Sequence, residues 1–153
     1  MKGYLKMPEK TAEVIELIDG YRWYRTGDKG HLDEDGFLTI VDRYSRFAKI
    51  GGEMISLTTV EEEILDACND KDLEIAATCL PDQRKGEKIV LLATNNLDKN
   101  ELKKMLSDAK VNPLYHPTQV LMVEEIPKLG SGKTDFGATK KIALVNEQKD
   151  ISA

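Results

Sequence analysis

The loop Leu129-Gly130-Ser131-Gly132-Lys133-Thr134, set ahead of a helical stretch, is where this chain's residue types suggest chemistry first. Glycines adopt backbone angles that other residues resist, and they remove side chains that would block close approach. The lysine between them is a compact positive charge on a long flexible stem. Such a group, on a flexible loop, suits the stabilisation of negative charge developing on a phosphate or carboxylate; the bland alternative is a solvated loop lysine. Gly132-Lys133-Thr134 matches the end of a P-loop, but that motif needs a glycine where Pro127 stands, and Glu124 to Lys128 separate the loop from the strand before it. A phosphotransferase P-loop is therefore set aside.

Two further segments carry candidate groups. In Tyr24-Arg25-Thr26-Gly27-Asp28 a carboxylate follows a Thr-Gly turn. It could accept two hydrogen bonds from a vicinal diol such as a ribose, or simply cap its own turn. In the run from Asp42 to Met54, the basic residues Arg43, Arg46 and Lys49 lead to paired glycines, Gly51-Gly52. Alone this reads as a hairpin edge with solvated charges; the glycines would also admit a ligand closely. His31 and His116 have no cysteine partner nearby, so no metal site is expected, and His116 between two prolines reads as shaping a loop. Cys68 and Cys79 fit no metal spacing and read as reduced core thiols, which suits a cytoplasmic protein.

The elements that must position these groups follow from pattern. The 153 residues, 41% hydrophobic and 32% charged, suit an ordinary globular core. A formal net charge of −5 argues against nucleic acid or an anionic membrane as a partner held by overall charge. No apolar run is long enough to span a bilayer. Val14, Ile15 and Ile18 predict a helix over Pro8 to Ile18, and Asp33-Glu34-Asp35-Gly36 before Phe37–Val41 predicts a hairpin. From residue 58 the order predicted is helix, strand, strand, helix, strand, helix. Thr59 and Glu62 would cap the first helix, Asp98 and Glu101 the second, and Thr134 or Asp135 would start the last, running to about Leu144. The class expected is α+β: a small mixed sheet backed by helices, with an N-terminal hairpin-like extension.

Taken as an ordered set, Gly3-Tyr4-Leu5, Pro8-Glu9-Lys10-Thr11-Ala12, Tyr24–Asp28, Asp42-Arg43, Lys49, Gly52 and Gly132-Lys133 resemble successive signatures of the adenylate-forming superfamily of acyl-CoA synthetases, adenylation domains and luciferases. The resemblance covers nearly the whole chain. Arg46–Leu57 and Leu129–Phe136 look more narrowly like the bacterial bifunctional acyl-ACP synthetase/2-acylglycerophosphoethanolamine acyltransferase.

That resemblance implies an enzyme using ATP and Mg as substrates to activate a fatty acid as acyl-AMP. The acyl group then passes to a phosphopantetheine thiol, of acyl carrier protein or CoA, in lysophospholipid reacylation. By position, Asp28 would hold the ribose hydroxyls and Arg43 the nucleotide. Lys133 would serve adenylation, Lys49 thioester formation after the lid rotates, and Gly52 would lie beside the pantetheine arm. Residues 1–42 would be the tail of a large domain, 43–46 a hinge pivoting at Ser45, and 47–150 the lid. The abrupt start on a structured-looking segment suggests a boundary inside a longer protein. The glycine-rich phosphate loop and acyl pocket would then lie upstream, leaving the fragment inactive and unable to bind nucleotide tightly. The parent would be cytoplasmic or at the inner face of the cell membrane, with no membrane insertion by this segment. Ser45 stands where the family usually has Asp or Lys, and Gly51 where many acyl-CoA ligases have another residue. The second departure suits a carrier-protein thiol as acceptor. The competing expectation is a non-catalytic carrier-docking module with the lid fold, which would have no need of Asp28, Arg43, Lys49 and Lys133 together.

Overall fold

In the computed structural model, which describes residues 1–95 and 97–151, the chain divides into two compact units, Met1–Ser45 and Arg46–Ala153. The first unit holds helix α1 (Pro8–Val14) and two antiparallel pairs: β1 (Ile15–Ile18) with β2 (Tyr21–Tyr24), and β3 (Asp28–Leu32) with β4 (Leu38–Arg43). The helix expected to reach Ile18 stops at Val14. Asp19 and Gly20 both take positive φ, 51° and 79°, as a two-residue turn matched to strand twist requires. The β-branched Ile15 and Ile18 are thereby drawn into a strand pair that a helix would forgo. The hairpin expected around Gly36 is present, closed by Asp33 N donating to Phe37 O at 3.0 Å. Its first strand, β3, already starts at Asp28. A register shift falls between Lys29 and Gly30, where a Cβ on Gly30 would meet Thr39 O at 2.7 Å.

The second unit opens with the end of a 3-10 turn (Tyr44–Arg46) and the hairpin β5 (Phe47–Ile50) and β6 (Glu53–Ser56). Then come α2 (Leu57–Cys68), β7 (Ile75–Asp82), β8 (Gly86–Ala93), α3 (Lys99–Asp108), β9 (Gln119–Met122) and α4 (Phe136–Ile151). This is the predicted element order. The sheet runs β6-β5-β8-β7, with β9 parallel to β8, so it is mixed. The class is α+β as expected, a small mixed sheet backed by helices and preceded in the chain by short hairpins.

Strands β7 and β8 are nearly continuous apolar runs because both sheet faces are covered. On one face Ala77, Cys79, Ile89 and Leu91 pack with Val60 and Ile64 of α2 and Leu102 and Leu106 of α3. On the other, Ala76, Leu80, Val90 and Leu92 meet Ala143 of α4 and Ile126 of the segment before it. The Val, Leu and Ile side chains among them contribute about 1.5–3 kcal/mol each on leaving water. The first cap differs from expectation: Ser56 caps α2, its Oγ accepting from Thr59 N at 3.3 Å. Asp98 caps α3 as predicted, accepting from Asn100 N and Glu101 N. Helix α4 begins after Asp135, whose Oδ1 accepts from Ala138 N at 2.9 Å, and continues to Ile151, beyond the expected end.

Candidate functional site

Two of the predicted residues meet in the first unit. Asp28 opens β3 and Arg43 closes β4, and the register sets them opposite one another. Arg43 Nε lies 2.8 Å from Asp28 Oδ1, with the carboxylate half-buried and the guanidinium exposed. Thr26 holds both: its Oγ1 accepts from Asp28 N at 3.1 Å, and its carbonyl accepts from Arg43 Nη1 at 3.3 Å. Gly27, at φ 80°, offers its carbonyl to Tyr44 N at 2.9 Å, tying the turn to the 3-10 segment. A carboxylate acceptor and a guanidinium donor fixed side by side at a strand end fit a nucleotide's diol and its charged neighbour. Close by, Tyr24 has its phenol pushed above the usual tyrosine range, first by its hydrogen bond with Tyr4.

Lys49 sits on β5 with its side chain exposed, between buried Ala48 and Ile50. Its backbone N–H donates to Glu87 Oε2 at 2.5 Å. Gly51 and Gly52 form the β5–β6 turn at φ 60° and 93°, and Gly51 N donates to Lys85 O at 2.9 Å. A Cβ on either glycine would meet nothing within 4 Å. The turn geometry thus accounts for both glycines, while the space outside them stays open. Lys49, Gly52, Lys85, Gly86 and Glu87 line one groove of about 550 Å³. Glu87 also takes a hydrogen bond from the buried Cys79 thiol at 3.4 Å, and burial followed by that carboxylate pushes the Cys79 thiol up.

Lys133 lies in the connection between β9 and α4. This is not the flexible loop expected. Leu129 N donates to Lys133 O at 2.7 Å and Gly132 N to Leu129 O at 2.8 Å, inside a bridge between Lys128 and Thr134. Gly132, at φ 81°, supplies the left-handed residue that closes a three-residue hairpin. The lysine side chain is exposed. Ser45, the expected pivot, is exposed in the 3-10 turn where the first unit ends.

Arg46, the last residue of the expected hinge, is 4% exposed, and its side-chain contacts are to the second unit. Its guanidinium donates to Ala77 O at 2.9 Å and Thr58 Oγ1 at 3.3 Å, pairs with Glu61 Oε2 at 2.5 Å, and stacks 3.8 Å from the Phe136 ring centroid. Glu61 Oε1 accepts from Ala77 N at 2.6 Å, so both polar groups on that stretch of the β7 edge are satisfied. Nothing in the sequence marked Arg46 as buried, nor Glu87 as the partner of the Lys49 backbone; both depend on contacts between segments distant in sequence. His116 closes a short 3-10 turn with Nε2 3.3 Å from Val111 O, a loop-shaping contact, and His31 lies exposed on β3. Among the described residues, no group of three or more His, Cys, Asp or Glu could hold a metal, and no helix is long and apolar enough to cross a membrane.

The chain is 36% identical over 141 residues to a 2-succinylbenzoate–CoA ligase of Listeria monocytogenes, covering 91% of this chain and 29% of that protein. It is 34% identical over 137 residues to a long-chain-fatty-acid–CoA ligase of Bacillus subtilis, covering 87% of this chain and 23% of the relative. Its fold superposes on ATP-bound MatB from Rhodopseudomonas palustris with a TM-score of 0.72 at 25% identity, over 92% of this chain and 28% of that one. No family model matches the chain. Over most of its length it resembles the C-terminal part of AMP-forming acyl-CoA ligase superfamily proteins. It spans less than a third of the length of these relatives.

Proposed function

We propose that this chain is the C-terminal lid of an ATP-dependent acyl ligase that activates a fatty acid as acyl-AMP and transfers it to a phosphopantetheine thiol, of acyl carrier protein or CoA. The observation that carries the reading is the Asp28–Arg43 pair, which strand register assembles from two distant signature segments. Asp28 accepts hydrogen bonds from the ribose hydroxyls, and Arg43 orients that carboxylate while adding positive charge beside the nucleotide. Thr26 fixes the pair, so little reorganisation is needed when the nucleotide arrives.

Lys133, presented on its small hairpin, stabilises the charge shared between the acyl carboxylate and the α-phosphate during adenylation. The 43–46 segment is the hinge, and Ser45 absorbs the backbone change as the lid turns. The groove of Lys49 and Gly52 then faces the acceptor, with the open side of Gly52 beside the pantetheine arm. Residues 1–42 belong to the large domain, and the exposed apolar side chains of the N-terminal strands support a covering partner there. The segments Arg46–Leu57 and Leu129–Phe136 support a role in lysophospholipid reacylation. The segment alone carries no acyl pocket in this reading and is inactive without the large domain.

The test is Lys133→Ala in the full-length parent, assayed for fatty-acid- and ATP-dependent pyrophosphate release and separately for thioester formation from preformed acyl-adenylate. Removing one charge-stabilising donor slows the first by about 10²–10³-fold and leaves the second intact. Wild-type rates in both assays would reduce Lys133 to a solvated loop lysine and bring forward a carrier-docking module.

A further inference from the structure

Resting on the ligase reading, we infer that Arg46 is a positioning residue that registers the Lys133 hairpin against the beginning of the lid. Four contacts converge on this one guanidinium: the β7 backbone at Ala77, Thr58 and Glu61 on α2, and the ring of Phe136. Phe136 is the first residue of α4, directly behind the hairpin that carries Lys133. Asp135 N donates to Pro127 O at 2.8 Å, so the hairpin and the helix start move as one piece. Arg46 is also the first residue of the second unit, adjoining Ser45. One side chain therefore links the residue after the pivot, the sheet edge and the base of the lysine hairpin.

A buried charge is costly to maintain merely to cap a strand edge, because a well-packed apolar residue is often as stabilising. A planar, fully charged fork makes better sense where orientation must be held in several directions at once. Phe136 is 41% exposed, so the ring contributes less as core than as a platform for the guanidinium. The stack on Phe136 adds direction to the ion pair with Glu61.

The test uses the full-length parent with Phe136→Leu, which removes the ring and leaves the charged network intact, and Arg46→Lys, which keeps the charge and loses the fork. Small misplacement of a catalytic group carries a large kinetic cost, so Phe136→Leu should slow adenylation by on the order of 10-fold. Thioester formation from preformed acyl-adenylate should stay at the wild-type rate, and Arg46→Lys should show the same split. Amide exchange at Leu129 and Gly132 should accelerate in both variants while that of the β8 strand does not. Equal losses in the two half-reactions, or unchanged exchange in the hairpin, would overturn the inference and leave Arg46 as an edge cap. A wild-type parent that released no pyrophosphate would instead overturn the ligase reading, and the exchange comparison would still decide whether the contact holds the hairpin.

Discussion

The two units of this chain solve the problem of presenting charged side chains in opposite ways. In Met1–Ser45 no residue is fully buried, and the apolar side chains of Leu17, Trp23, Phe37 and Leu38 lie exposed on short hairpins. Its Asp28–Arg43 pair is held by strand register and by Thr26. In the second unit the sheet is buried on both faces; Lys49 stands on one of its strands, β5, and Lys133 on the small hairpin ahead of α4. A charged pair can thus be set by local hydrogen bonding alone, whereas the two lysines belong to a unit with a buried core. The difference also explains why the ion pairs of the two units should not be weighed alike.

That contrast is broken or sharpened most strongly by the two ion pairs themselves. Glu61→Leu leaves the buried Arg46 charge unpaired and strips Ala77 N–H of its acceptor, and it should destabilise the second unit by about 3–5 kcal/mol. Arg43→Met, at an exposed pair, should change stability by about 0–1 kcal/mol. Urea unfolding followed by far-ultraviolet circular dichroism measures both. Equal costs would mean that the exposed pair carries structural weight its exposure denies.

Core deletion gives the next largest effect. Ile64 is wholly buried between α2 and the sheet, so Ile64→Ala should cost about 2–5 kcal/mol. Leu38→Ala, on an exposed strand face, should stay within about 0.5 kcal/mol. The chain's one tryptophan, Trp23, lies in the first unit, so its fluorescence follows that unit separately. A Leu38→Ala loss comparable to that of Ile64→Ala would show that the N-terminal hairpins have a core of their own.

What could be read from sequence divides along the same line. From α2 onward the apolar periodicity is reinforced by burial on both sheet faces, and the main helices and strands were legible in their order, though not the 3-10 turn at Pro113 or the hairpin of Lys133. In the first unit Val14, Ile15 and Ile18 satisfy a helical spacing, yet Asp19-Gly20 is a hairpin signal that overrides it. Local periodicity is weakest as a guide where no core enforces it. The candidate chemistry was legible as residue types in signature segments, but the pairing of Asp28 with Arg43 depends on register, which no local pattern contains. The burial of Arg46 was equally hidden, because a basic residue beside a hinge reads as solvated until Glu61, Ala77 and Phe136 are seen around it.

The smallest effect concerns acid, and it too should belong to the second unit. Asp82 ends β7 and accepts hydrogen bonds from Lys85 N at 2.8 Å and Arg84 N at 2.9 Å, closing the turn into β8. Those two backbone donors, with Lys85 first, hold its carboxyl below the usual aspartate range. A depressed folded value means the unfolded chain takes up the proton first as pH falls. The turn's contribution is therefore complete above the unfolded value of about 4 and is lost as pH drops through the folded one. Asp82→Asn should remove that part of the acid dependence while leaving the neutral-pH fold in place. The check is the urea midpoint of the second unit between roughly pH 2 and 6, with Trp23 fluorescence recorded alongside. A slope that survives the substitution unchanged would place the acid sensitivity elsewhere. If only the Trp23 signal lost its pH dependence, Asp82 would not be the source of the second unit's acid sensitivity.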